Sequence, residues 1–148
     1  MNKKGFTLIE LLVVVAIIGL LSTLSVVALG SARKKANDSK RLLDIKQVQT
    51  ALELYYTDNN EYPTAATAVN LGDATHGCLD SDDFAALGAC TDPYMDNIPK
   101  GTSNDEYYEY TSADGSDYTI TATLEIGGGN FAAGGVTGTP SGLIGTAK

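Results

Sequence analysis

Hydrophobic positions follow three regimes along the chain. From Phe6 to Gly30 they run almost unbroken, and Glu10 is the only ionisable side chain among those 25 residues. A helix rises about 1.5 Å per residue, so this run reaches roughly 37 Å and crosses a hydrocarbon core of about 30 Å. From Ser31 to about Thr57 the pattern becomes a helical stripe, with Ile45, Val48, Leu52 and Tyr55 recurring at spacings of three and four. That face predicts packing against a globular head. Asn59 and Asn60 tolerate turn geometry and Pro63 cannot continue a helix, so the helix is expected to end near Thr57. From Glu106 to Ile126 the period drops to two. Tyr118, Ile120, Ala122 and Leu124 alternate with Thr119, Thr121, Thr123 and Glu125, and Asp114-Gly115 supplies a turn. This predicts a half-buried hairpin, with Tyr108 and Tyr110 on the buried face of its first strand.

Two stretches carry no such rhythm. Residues 64–105 read as a long connection rich in Ala, Thr, Asp and Gly, and residues 127–148, with eight glycines, read as an exposed, partly flexible tail with room for one short edge strand. A sheet as small as the hairpin needs a cover for its apolar face, and the stripe on the preceding helix is the long one available. The expected fold class is therefore α+β, with a long N-terminal helix, transmembrane and then amphipathic, packed on a small antiparallel β-sheet. Its segments are an apolar helix over 6–30, an amphipathic continuation over 31–57, a head over 58–126 and the tail over 127–148.

Charge sharpens this picture. The 148 residues carry a formal net charge of -8, yet residues 1–46 hold eight Lys and Arg against three Asp and Glu, whereas residues 47–148 hold two against fifteen. An acidic chain lacks the counter-charge for phosphate backbones, so no nucleic-acid partner is expected. Arg33, Lys34, Lys35, Lys40 and Arg41 gather just past the apolar run, where anionic headgroups, acidic surfaces of adjacent copies or plain solvent each account for them.

Glu10 is the informative residue. A carboxylate in a membrane helix costs on the order of 2.5–3.5 kcal/mol, so it must stay wet, be protonated, or meet a positive charge. An α-amino group made by a cut just before Phe6 would lie one helical turn away in the same chain and could equally face Glu10 of a neighbour. A secretory signal peptide is the plainer alternative, with Lys3 and Lys4 as its basic front and Ala28 to Ala32 as small residues for cleavage. The apolar run is, however, longer than the usual 7–15 residues of such a segment.

The stretch Gly5-Phe6-Thr7-Leu8-Ile9-Glu10-Leu11-Leu12-Val13-Val14-Val15-Ala16-Ile17-Ile18-Gly19 resembles the class III signal of type IV pilins and of the pseudopilins of type II secretion. The run from Asp44 to Pro63, with Tyr55-Tyr56, Asp58-Asn59 and Tyr62-Pro63, resembles the helix exit of major pseudopilins and short type IV pilins. The resemblance implies a leader over 1–5 with Lys3 and Lys4 kept cytoplasmic, cleavage after Gly5 by a prepilin peptidase, N-methylation of Phe6, and pairing of Glu10 with an N-terminal amine during assembly. It also implies the partners: copies of the same chain in a helical homopolymer, the prepilin peptidase and methylase, a pilus or secretion assembly platform, and the cytoplasmic membrane, spanned once before assembly.

Cys78 and Cys90, in an exported chain, read most economically as one disulfide, with free thiols and a zinc site using His76 as alternatives. Asp80, Asp82 and Asp83 do not complete a calcium-loop pattern, and no acidic residue follows Glu125, where many major pseudopilins carry an acidic calcium loop. No metal and no cofactor are expected. His76 has no identifiable nucleophile partner and no phosphate-binding motif is present, so the reading is non-enzymatic. The expected function is a structural subunit of a type IV pilus-like filament. A major-type pseudopilin in a periplasmic pseudopilus is the alternative within the family, and a single-pass anchored binding module that never polymerises is the alternative from another class.

Overall fold

The computed structural model describes residues 5–103 and 106–148; Lys3 and Lys4 lie outside the described residues. The chain divides into two units, Met1–Lys34 and Lys35–Lys148. Helix α1 spans Leu8–Asn59 and passes Gly19 and Gly30 without interruption. Residues 8–33 of α1 are exposed along every face. In this stretch the hydroxyls of Ser22, Thr23 and Ser25 donate to the carbonyls of Ile18, Leu20 and Leu21 at 2.8 Å each, which leaves the apolar segment without dangling side-chain donors.

The second unit contains the α+β core. Its strands are β1 (Ala65–Leu71), β2 (Cys78–Leu79), β3 (Phe84–Ala85), β4 (Tyr108–Ser112), β5 (Thr119–Leu124), β6 (Phe131–Thr139) and β7 (Gly142–Ala147). An antiparallel sheet runs in the order β1-β4-β5-β6-β7, and β2 pairs with β3 in a separate ribbon. The expected stripe is the buried face of α1: Ile45, Val48, Leu52 and Tyr55 are all at most 5% exposed. They pack with Tyr108, Tyr110, Ile120, Leu124 and Val136 from the inner face of the sheet. Alternation on β4 and β5 holds, because a residue pointing at the helix must be apolar and its neighbour faces water.

Three expectations need correction. The helix runs to Asn59 rather than Thr57; Asn60 then takes a left-handed conformation (φ 60°) and its N–H bonds the Tyr56 carbonyl at 2.8 Å, an αL termination that asparagine adopts at low cost. The connection over 64–105 supplies edge strand β1 and the β2–β3 ribbon. Most of all, residues 127–148 are not a tail: β6 and β7 form a hairpin that completes the sheet, with Val136 buried. Glycine conceals these strands from a periodicity reading, yet it is what lets one of them fit. A Cβ on Gly138 would stand 2.6 Å from Ile45 Cγ2, so only glycine allows β6 to lie this close to α1.

Candidate functional site

The N-terminal site is built from Gly5, Phe6, Thr7 and Glu10. Phe6 is 86% exposed. Thr7 stands just before the first helical residue, and Glu10 is the third residue of α1. The Glu10 Oε2 accepts from the Thr7 N–H at 2.9 Å and from the Thr7 hydroxyl at 2.7 Å, while the Glu10 N–H reaches Thr7 Oγ1 at 3.3 Å. This is a reciprocal capping box, which satisfies donors that a helix start leaves open. Thr7-x-x-Glu10 ahead of an apolar run is the sequence signature of this box, and it is easily passed over beside the charge of Glu10. The arrangement answers how the chain carries Glu10 before any partner arrives: its carboxylate is already solvated by its own backbone.

A second cluster, within the head, was missed for a different reason. Asp38, fully buried, accepts the backbone N–H groups of Glu125, Ile126 and Gly127 at 2.8, 2.8 and 2.9 Å, and the Arg41 Nη1 at 2.8 Å. Burial opposes its ionisation, but the Ile126 and Glu125 N–H groups, Arg41 and the Gly127 N–H outweigh burial and hold the carboxyl below its usual range. Gly127 takes φ 89°, which turns its N–H toward the carboxylate. Arg41 also bonds Glu106, Thr102 and Glu125. Arg41 lowers the Glu106 pKa to about 2, with burial opposing and the Thr102 N–H and hydroxyl assisting.

Of the five cations read as one exterior cluster, Arg41 is therefore turned inward, 6% exposed. Lys40 bonds Asp44 at 2.6 Å and the Lys100 carbonyl at 2.9 Å. The Tyr108 hydroxyl donates to the same Asp44 carboxylate at 2.7 Å. Apart from the Asp38–Arg41 and Lys40–Asp44 pairs within α1, these partners lie 60 to 89 residues away in sequence, beyond the reach of any local pattern.

Cys78 and Cys90 form a disulfide, which commits both sulfurs and removes the zinc set with His76. The His76 Nδ1 lies 3.0 Å from Asp73 Oδ1, in a turn where burial is outweighed by the N–H and hydroxyl of Thr75 and by His76, which bring the Asp73 pKa down to about 2. The Asp80 carboxylate accepts the N–H groups of Thr91 and Asp92 at 2.9 Å, pinning the segment after Cys90. Asp80 thereby serves as a loop brace.

Comparison with known proteins follows the same division. Residues 1–30 match the prokaryotic N-terminal methylation motif, and residues 28–135 match the family described as type II secretion system (T2SS), protein G. The chain is 44% identical over 63 residues to the type II secretion system core protein G of Aeromonas hydrophila, covering 43% of this chain and 44% of that one. It is 43% identical over 72 residues to the type IV wide pilus major component PilA4 of Thermus thermophilus, covering 48% of this chain and 55% of that one. The chain thus spans about half the length of the curated relatives it matches. No solved structure matches it significantly.

Proposed function

Since the chain belongs to the type II secretion system protein G family, we propose that it is a structural subunit of a pilin-like filament, cut after Gly5, N-methylated at Phe6 and assembled through its N-terminal helix. The observation that carries this reading is the capped carboxylate of Glu10 in an apolar run whose other 24 residues from Phe6 to Gly30 bear no ionisable side chain. One surface serves two states. In the bilayer the exposed apolar helix is solvated by lipid, and in a filament the same side chains are buried against copies of themselves. Assembly then exchanges the Thr7 cap on Glu10 for the Phe6 amine of a neighbour, and that charge pair sets axial register because a mismatched copy leaves the carboxylate unpaired in an apolar bundle.

Both filament settings fit these residues. The resemblance to PilA4 supports a surface pilus, and the protein G match supports a periplasmic pseudopilus. The subunit is non-enzymatic in this reading, its partners being further copies, the prepilin peptidase and an assembly platform.

Glu10→Leu is expected to leave membrane insertion of the precursor intact and to reduce filament yield, measured by shearing and by membrane fractionation. Intact mass and N-terminal sequencing should give a methylated Phe6. Filaments formed normally by Glu10→Leu would overturn the register argument, and an unprocessed Met1 would leave an anchored binding module as the better account. Mature subunits in sheared material indicate a pilus, whereas mature subunits confined to the envelope indicate a pseudopilus.

A further inference from the structure

The outer face of the sheet, opposite α1, holds a groove of about 480 Å³ that the filament reading does not use. Its volume lies within the range of small-molecule sites, roughly 300–1,000 Å³. The groove follows from sequence. Asn70, Glu109, Thr121 and Thr137 are successive cross-strand partners on β1, β4, β5 and β6, forming a polar row. At ordinary strand spacing the row extends about 14 Å. Next to it Thr123 faces Gly135, so one side of the row has no side chain and the surface is concave there. Tyr107, half-buried, stands at the edge.

The chemistry of this lining narrows the ligand. Two carboxylates line the groove: that of Glu106 is committed to Arg41 and Thr102, whereas Glu109 offers its carboxylate and Asn70 an amide, both planar groups able to engage two adjacent hydroxyls, and Thr123 and Thr137 add hydroxyls that both donate and accept. Among the described residues, the side chains of Asn70, Thr123 and Thr137 have no hydrogen-bond partner within the chain, so their capacity is available. The Tyr107 ring provides an apolar surface beside these polar groups. Among the described residues no Lys or Arg lines the groove, which leaves a phosphate or sialic-acid ligand without a counter-charge, and a row of this polarity does not suit a lipid tail.

We propose that this groove binds a neutral oligosaccharide, its hydroxyls held by the Asn70–Glu109–Thr137 row and a sugar C–H face set against Tyr107. Gly135 provides a clean test, because a Cβ built there meets no heavy atom within 4 Å and its φ is not in the left-handed region. A side chain at this position fills the groove and leaves the fold undisturbed.

The experiment uses the full-length chain in detergent, probed with neutral di- to tetrasaccharides of glucose, galactose, mannose and N-acetylglucosamine, with sialyllactose for comparison. At least one neutral probe should bind, Gly135→Phe should abolish binding with the circular dichroism unchanged, and Glu109→Ala should weaken it by about tenfold, the effect of losing one hydrogen bond to a charged group. Failure of every neutral probe at millimolar concentration would overturn the assignment. So would a preference for sialyllactose, or neutral binding that survives Glu109→Ala and a folded Gly135→Phe unchanged.

Discussion

Arg41 forks onto Glu106 across 65 residues of sequence, Nε to Oε1 at 2.5 Å and Nη2 to Oε2 at 3.0 Å. The same guanidinium reaches Asp38 on its own helix and Glu125 at the end of β5. One side chain thus ties α1 to the segment before β4 and to the turn between β5 and β6. A two-ended carboxylate grip of this kind needs the planar fork of arginine, which lysine cannot reproduce.

Arg41→Met, which retains most of the apolar stem, is accordingly expected to destabilise the head by about 2 kcal/mol or more, since it leaves Asp38 and Glu106 without their cation. Chemical denaturation of the full chain in detergent measures the loss. A double-mutant cycle with Glu106→Gln should show coupling, because the two residues share one interaction.

Acid should act through the same pair. Glu106 falls from about 4.5 to about 2 in the folded state, chiefly through Arg41. A depressed folded pKa means that the unfolded chain binds the proton more readily, so the contribution is fully present above about 4.5 and is lost as pH falls toward about 2. Stability measured across that window should drop, and Glu106→Gln should flatten part of the slope. The remaining slope is shared by Asp38, Asp73, Asp80 and Asp114, whose carboxyls are also held below their usual range.

Gly138→Val tests the approach of β6 to the helix. Its Cβ would meet Ile45 Cγ2 at 2.6 Å and Gln49 at 3.4 Å. Overpacking of this kind costs about 1–3 kcal/mol. Part of it should be recovered in Gly138→Val with Ile45→Ala, which removes the obstructing methyl, as read by thermal unfolding.

Replacing both Cys78 and Cys90 with Ser should lower stability by about 3 kcal/mol on the chain-entropy account of a loop of this length. Cys78 is fully buried while Asp80 braces the segment after Cys90, so the double variant should also expose the 80–92 loop to proteolysis before the sheet unfolds.

The sequence by itself determined the apolar helix, the stripe Ile45–Val48–Leu52–Tyr55 and the β4–β5 hairpin, because each is a local pattern; it favoured a disulfide over free thiols or a zinc site, and the fold decided that choice by bringing Cys78 and Cys90 together. The N-terminal site was legible for the same reason: Glu10 is conspicuous against an uncharged run, and Thr7 completes a motif of four residues. Only the tertiary structure decided the rest. Glycine-rich β6 and β7 carry too little alternation to announce themselves, and their place is set by the close approach that Gly138 permits to Ile45. The inward turn of Arg41 and the cradle around Asp38 depend on groups up to 89 residues distant. A charged residue on a helix reads as solvated until the fold brings its partners to it, since burial and hydrogen bonding are properties of the packed chain and not of the residue.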